Sequence, residues 1–274
     1  MTLCISAVAS LVALAAAVRS TWSPCGLSML STITPLSERA KGHSYRATAA
    51  WFVFGAVAGG ATLGAAMALL ALGIHELHLS PTTIGATAFG AALLAAASDA
   101  GIGGMRLPIH RRQVNERWLD QYRPWVYGSG FGWQIGTGLS TYITTAAVYL
   151  MVVLGALTTV PLVALAVGTG FGLVRGLAVL MTRHLTDPAE LRSFHRRFAD
   201  AGPLAGRAAI AVEVTSAVVL AVYLRSASAL ALAAGSVCVA TVAGMVMARA
   251  DVRGGFLRAT ADDLVVPRSA VAER

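Results

Sequence analysis

Charge is what this sequence has least of. Asp, Glu, Lys and Arg make up 12% of its 274 residues, against about 25% in an ordinary soluble domain. Hydrophobic residues make up 56% and the mean hydropathy is +0.69. No water-soluble fold hides that much apolar surface. Long polar stretches are also missing, since apolar runs of about 20 residues recur along the whole chain, as helices that satisfy their own backbone in lipid require. A single anchor carrying a soluble domain is thereby excluded. A phosphate-cradling loop and a serine-hydrolase elbow are both absent, so a conventional soluble-type active site is not expected, nor is any cofactor.

What is present is an all-α, polytopic pattern of about seven transmembrane helices, at 3–34, 46–73, 83–102, 127–155, 159–181, 208–224 and 229–249. Basic residues fall in alternate connections. All but three of the 21 lie on one side; Arg225 lies opposite, and Arg19 and Arg175 fall inside spans. The positive-inside rule then puts the N-terminus outside and the tail, 250–274, in the cytoplasm of a plasma or inner membrane. The same bias accounts for the net charge of +8, so the expected surroundings are a lipid bilayer and not nucleic acid. The apolar stretch 1–18 is not expected to be a cleaved leader, because no Lys or Arg precedes it and hydrophobic character resumes directly after it.

The first span is too long for one helix, since some 32 residues would cover roughly 48 Å against a core of about 30 Å. A break is expected at Trp22-Ser23-Pro24-Cys25-Gly26, where Pro24 removes a backbone donor and restricts Ser23. The fourth span opens on Gly128, Gly130, Gly132, Gly136 and Gly138, which either weaken a helix or let helices pack closely. Leu30-Ser31-Thr32-Ile33-Thr34 returns as Leu139-Ser140-Thr141-Tyr142-Ile143-Thr144 with one insertion. The expected organisation of 1–249 is two inverted three-helix repeats, about 1–105 and 125–225, followed by an extra helix at 229–249. Paired interrupted helices point to a binding site at the repeat interface.

At these two segments the chain resembles the transmembrane electron-transfer family of CcdA and the DsbD membrane domain, within a broader LysE-type transporter superfamily. Ser23-Pro24-Cys25-Gly26-Leu27-Ser28 is similar to that family's first-helix motif, and Gly130-Phe131-Gly132-Trp133 to the start of its fourth-helix motif. The resemblance implies a protein assisting redox-protein or cytochrome maturation, with an extracytoplasmic redox protein or a small solute as partner. It makes Cys25 the candidate redox thiol, and Pro24, Gly132, Trp133 and Gln134 candidates for lining the site. It also implies a second cysteine, whose position in this chain holds Gly136. Cys4 and Cys238 are the remaining thiols, and a Cys25 to Cys238 pair is the alternative. Members of the superfamily associated with methylamine utilisation resemble the electron-transfer proteins without the complete cysteine chemistry.

Ionisable residues at membrane depth are costly and mark function or pairing. Glu213 is expected to carry a proton or cation, or to pair with Arg175. Arg19, six residues before Cys25, would favour a thiolate or an anionic substrate. Asp99 reads as a cap-like carboxylate near the end of the third span. His75-Glu76-Leu77-His78 falls short of a zincin helix, and no metal is expected. Three functions remain open: redox-protein maturation, secondary transport of a small solute, and a non-catalytic assembly subunit.

Overall fold

The computed structural model describes residues 2–104 and 122–224. Its helices are α1 (Thr2–Ser20), α2 (Pro24–Thr32), α3 (Pro35–Ala40), α4 (Tyr45–Glu76), α5 (Pro81–Asp99), α6 (Pro124–Thr137), α7 (Ala147–Leu157), α8 (Pro161–Leu177) and α9 (Pro188–Leu224). Short 3-10 turns follow α5 at Ile102–Gly104 and α8 at Ala178–Thr182. There is no strand among the described residues. Six helices open on proline, whose fixed φ suits the first turn and whose missing N–H is lost there anyway. Ser23, Thr34 and Ser80 cap α2, α3 and α5 through their hydroxyls, satisfying N–H groups that a helix start leaves open.

Among the described residues, five helices are long and apolar enough to cross a membrane: α1, α4, α5, α8 with its 3-10 extension, and α9. Large apolar side chains point outward all round, among them Phe54, Leu69, Leu94, Leu162 and Val222, which is a surface suited to lipid and not to water. The chain is an all-α polytopic membrane protein. The extra helix expected at 229–249, with Cys238 and the tail, lies outside the described residues.

The bundle is organised around α4, whose backbone touches neighbours on two sides. On one, Gly55 and Gly59 meet the carbonyls of Ser129 and Trp133 on α6, while Gly132 and Gly136 meet those of Phe52 and Ala56. On the other, Gly60 and Gly64 meet Gly168, Gly172 and Leu165 of α8. Residues four apart form a stripe on a helix, and glycine stripes let two axes come close enough for dispersion contact between backbones. The glycines of the fourth span therefore do not break it where they are densest; Pro124–Thr137 is one continuous helix because α4 supports it. The apolar core lies between α1, α5, α7, α8 and α9 around Met67, Phe171 and Leu154, and a smaller cluster joins α2, α4 and α6 around Phe52 and Phe131.

Two expected boundaries are corrected. The fourth span is not one helix, since residues 138–146 are non-helical and separate α6 from α7. The basic segment expected as a loop before residue 208 is helical from Pro188 onward. At 37 residues, α9 is roughly 55 Å long, so its first half, bearing Arg192, Arg196 and Arg197, extends beyond an apolar core of about 30 Å.

Candidate functional site between two interrupted helices

The first interruption lies between α1 and α2. Thr21, Trp22 and Ser23 turn on N–H bonds to the carbonyls of Val18, Arg19 and Ser20, and Ser23 Oγ then accepts from Gly26 N at 3.2 Å. Gly26 is needed for close approach, not for flexibility, because a Cβ there would lie 2.1 Å from the Thr21 carbonyl oxygen. Trp22 fastens the turn to α9 by stacking on Phe198 at 4.4 Å and donating Nε1–H to the Phe198 carbonyl at 2.6 Å. Pro24 occupies the first helical position and faces outward. Cys25 beside it is 2% exposed.

The second interruption follows α6. Gly138 ends the helix with φ +66°, a left-handed conformation that favours glycine. The Gln134 carbonyl accepts from Thr137 Oγ1 and Ser140 Oγ. Across the gap, the Asp99 carboxylate accepts from Thr145 Oγ1 and, at 2.7 Å, from Ala146 N. Asp99 is therefore a cap, as expected, but for α7 instead of its own helix, with negative charge at a helix N-terminus.

Arg175 joins the two. Its guanidinium is 2% exposed; Nη1 donates to the Ile135 carbonyl at 2.6 Å and to Thr141 Oγ1 at 3.5 Å, and Nη2 to the Ser20 carbonyl at 3.4 Å. Ser20 ends α1 and Ile135 lies in the last turn of α6, so one side chain serves a carbonyl at each break. The planar fork of arginine suits this, since its donors diverge in fixed directions. Phe171 lies beneath it at 5.6 Å, and Cys25 is within its electrostatic reach. The flanking Gly172 and Gly176 touch Ala56 and Val53, and Ala56 is roughly 16 Å along α4 from Tyr45.

A second group of charges adjoins it. Asp99 is within electrostatic reach of Arg19 on α1 and of Glu213 on α9. Glu213 is fully buried, and among the described residues neither carboxyl oxygen has a hydrogen-bond partner. The expected pairing of Glu213 with Arg175 is therefore corrected. Arg175 bonds to carbonyls and a hydroxyl, and the acidic neighbour of Glu213 is Asp99.

Other expected site residues are not brought together. Trp133 is 42% exposed and donates to Thr62 Oγ1 at 3.2 Å on the outer surface. Gly132 and Gly136 face α4, and a Cβ at 136 would lie 2.0 Å from the Ala56 carbonyl oxygen. The position that the resemblance reserves for a second thiol is thus closed by backbone. Cys4 is no substitute, with about 24 Å of α1 between it and Ser20. Among the described residues no disulfide forms and no cluster of three metal-ligating side chains occurs. His75, in the last turn of α4, and His78, just beyond that helix, stand 6.4 Å apart by ring centres.

One cluster escaped sequence reasoning. Glu38, in a short helix among basic residues, is fully buried. Thr48 Oγ1 donates to it at 2.5 Å, and the Tyr127 hydroxyl lies 2.7 and 2.6 Å from its two oxygens. His43 stands 4.0 Å away and Lys41 lies over the Tyr127 ring. The only signal was a lone acid in a basic connection. This cluster ties α3, α4 and α6 together at the basic end. Removing the hydroxyl in Tyr127→Phe leaves a buried carboxylate short of a donor, with an expected loss of about 1–3 kcal/mol. Thermal unfolding in detergent reads it, and an unchanged midpoint would refute the role.

No family model and no solved structure matches the chain. Among curated proteins it is 32% identical over 181 residues to the methylamine utilization protein MauF of Paracoccus denitrificans, covering 63% of this chain and 62% of that protein. MauF of Methylobacillus flagellatus is 31% identical over 149 residues, 51% of this chain and 50% of that one. The matched part spans between half and just under two thirds of these relatives' length. The chain is a helical membrane protein similar to proteins named MauF, which accords with the methylamine-utilisation side of the resemblance drawn from its motifs.

Proposed function

We propose that the chain is a membrane accessory protein of the methylamine-utilisation type, which supports maturation of an extracytoplasmic redox protein by carrying a small solute through the paired helix breaks. The observation that carries this reading is Arg175, buried and bonded to the carbonyls of both Ser20 and Ile135. Interrupted helices that face each other release backbone groups where a substrate can use them. A cation shared between the two breaks makes each sensitive to the other. The closed space at Gly136 argues against the dithiol relay of CcdA and DsbD, although the scaffold in this proposal is theirs. It comprises inverted repeats at about 1–105 and 125–225, an outside N-terminus and a cytoplasmic tail in the plasma or inner membrane.

A second reading keeps Cys25 as a lone reactive thiol. It is favoured by the place of Cys25 in the first turn of α2, within electrostatic reach of Arg175.

Growth on methylamine of a Paracoccus denitrificans strain lacking MauF separates the readings. The wild-type chain is expected to restore growth, Cys25→Ser to retain most of it, and Arg175→Ala to lose it. Loss of growth in Cys25→Ser, with the protein present in the membrane at wild-type level, would shift the assignment to the lone thiol. Failure of the wild-type chain under the same conditions would remove the methylamine assignment.

A further inference from the structure

We infer that Glu213 and Asp99 form a proton-binding site, set on α9 and α5 beside the carrier site, through which a proton acts on the α6–α7 break. The inference rests on the proposed carrier reading for its use and on geometry for its existence. Glu213 is fully buried, and both its oxygens lack a hydrogen-bond partner among the described residues. A buried carboxyl normally acquires donors, and an ionised one without them is held only at high cost.

The groups around it are few. Among the described residues, α9 packs chiefly on α5 and α1. Asp99 is the only titratable side chain of α5, and α1 contributes Arg19 and, near its other end, Cys4. Arg19 lies against α9 at Gly206 and within electrostatic reach of Asp99. Two carboxyls and one guanidinium therefore share this region. One carboxylate is balanced by Arg19, and the second needs one more positive charge.

A proton fits that need better than a metal ion. Sodium- or calcium-like cations take several oxygen ligands, whereas the described residues hold no cluster of three metal-ligating side chains. The step is simple: a proton from water at one face adds to a carboxylate oxygen of the pair, and the same O–H bond breaks to release it at the other face.

The link to the carrier site runs through Asp99. Its two oxygens hold Thr145 Oγ1 and Ala146 N at the start of α7. With Glu213 protonated, Asp99 remains an anion and keeps both bonds. With Glu213 ionised, its charge repels that of Asp99, and the hold on α7 weakens. A proton thus sets how firmly the second break is closed.

Infrared difference spectra of the reconstituted protein between mildly acidic and mildly alkaline buffer test this. A carboxylic-acid C=O band at the high frequency of a weakly hydrogen-bonded group is expected, lost in Glu213→Gln and displaced in Asp99→Asn. The protection factors of the amides at residues 138–148, in which the base-catalysed rise of intrinsic exchange is divided out, should fall with pH in the wild type and become independent of pH in Glu213→Gln. Both variants are close in shape to the parent, and their unfolding midpoints show whether they fold. A band that survives Glu213→Gln, or one that responds to sodium and not to pH, overturns the proton site. Either result leaves the growth test of the carrier reading intact, and failure of that test leaves the band in place.

Discussion

Arg175→Ala is expected to lower the stability of the bundle by about 3 kcal/mol or more, because it takes the donor from several buried acceptors at about 1–3 kcal/mol each. The guanidinium donates to Ser20, Ile135 and Thr141. Hydrogen bonds to a charged group contribute about 1.5–3 kcal/mol each, and a buried acceptor left without a donor carries a further penalty. Arg175→Lys should recover only part of the loss, because an ammonium on a single stem cannot serve carbonyls on two helices in the directions the planar fork reaches. The unfolding midpoint in a mild detergent is the measurement. The half-buried Arg19, replaced by lysine, supplies the comparison and should stay close to the parent. If Arg175→Ala unfolds together with the wild type, the two breaks are held by something else and Arg175 loses its place in the proposed site.

Gly136→Cys is expected to fail at both things a thiol relay would ask of it. The new Cβ would lie 2.0 Å from the Ala56 carbonyl oxygen, with the Ala56 carbonyl carbon 2.7 Å away. Those atoms are backbone, so relief requires α4 and α6 to separate along a seam built on close approach. Overpacking a tight contact costs about 1–3 kcal/mol even where side chains can adjust, and the upper end or beyond applies here. The variant should unfold at a clearly lower temperature, and thiol trapping under oxidising conditions should find no disulfide to Cys25. Gly73→Ala makes the contrast, since a Cβ there meets nothing within 4 Å and alanine is the better helix former. A stable Gly136→Cys protein that forms the disulfide would restore the dithiol reading for this scaffold.

The membrane architecture was legible in the sequence because lipid imposes a length and a composition that few other environments do. The prolines that open α5 and α8 mark their starts, and Pro24 marks the break after α1, whereas Pro188 opens α9 inside a segment that its charge made read as a loop. The glycines from 128 to 138 were ambiguous, since glycine weakens an isolated helix and also permits a close crossing. Only the facing stripe on α4 decides between those effects, and it lies some 70 residues earlier in the chain. Arg175 was visible as a charge in a span, but its partners at Ser20, Ile135 and Thr141 come from three other segments. Pairing it with Glu213 followed from charge alone, and folding turns Glu213 toward α5 instead. Glu38 was hidden for a related reason. Surrounded by Arg39 and Lys41, it resembles a solvated loop acid, and its burial depends on hydroxyls that α4 and α6 supply.

The position of α4 has a consequence for how this chain is made. Both of its glycine stripes are completed by helices synthesised after it, α6 and then α8, whose contact residues Gly168 and Gly172 emerge roughly 100 residues after the end of α4. At about 5–20 residues per second of synthesis, that interval is roughly 5–20 s. For that time the face of the central helix that meets α8 stands open in lipid, the face that meets α6 closing earlier, and the proposed carrier site cannot assemble before Arg175 has been inserted. Assembly of the bundle is therefore timed by its eighth helix, and a nascent chain stopped before residue 161 carries the first break without the side chain that joins it to the second.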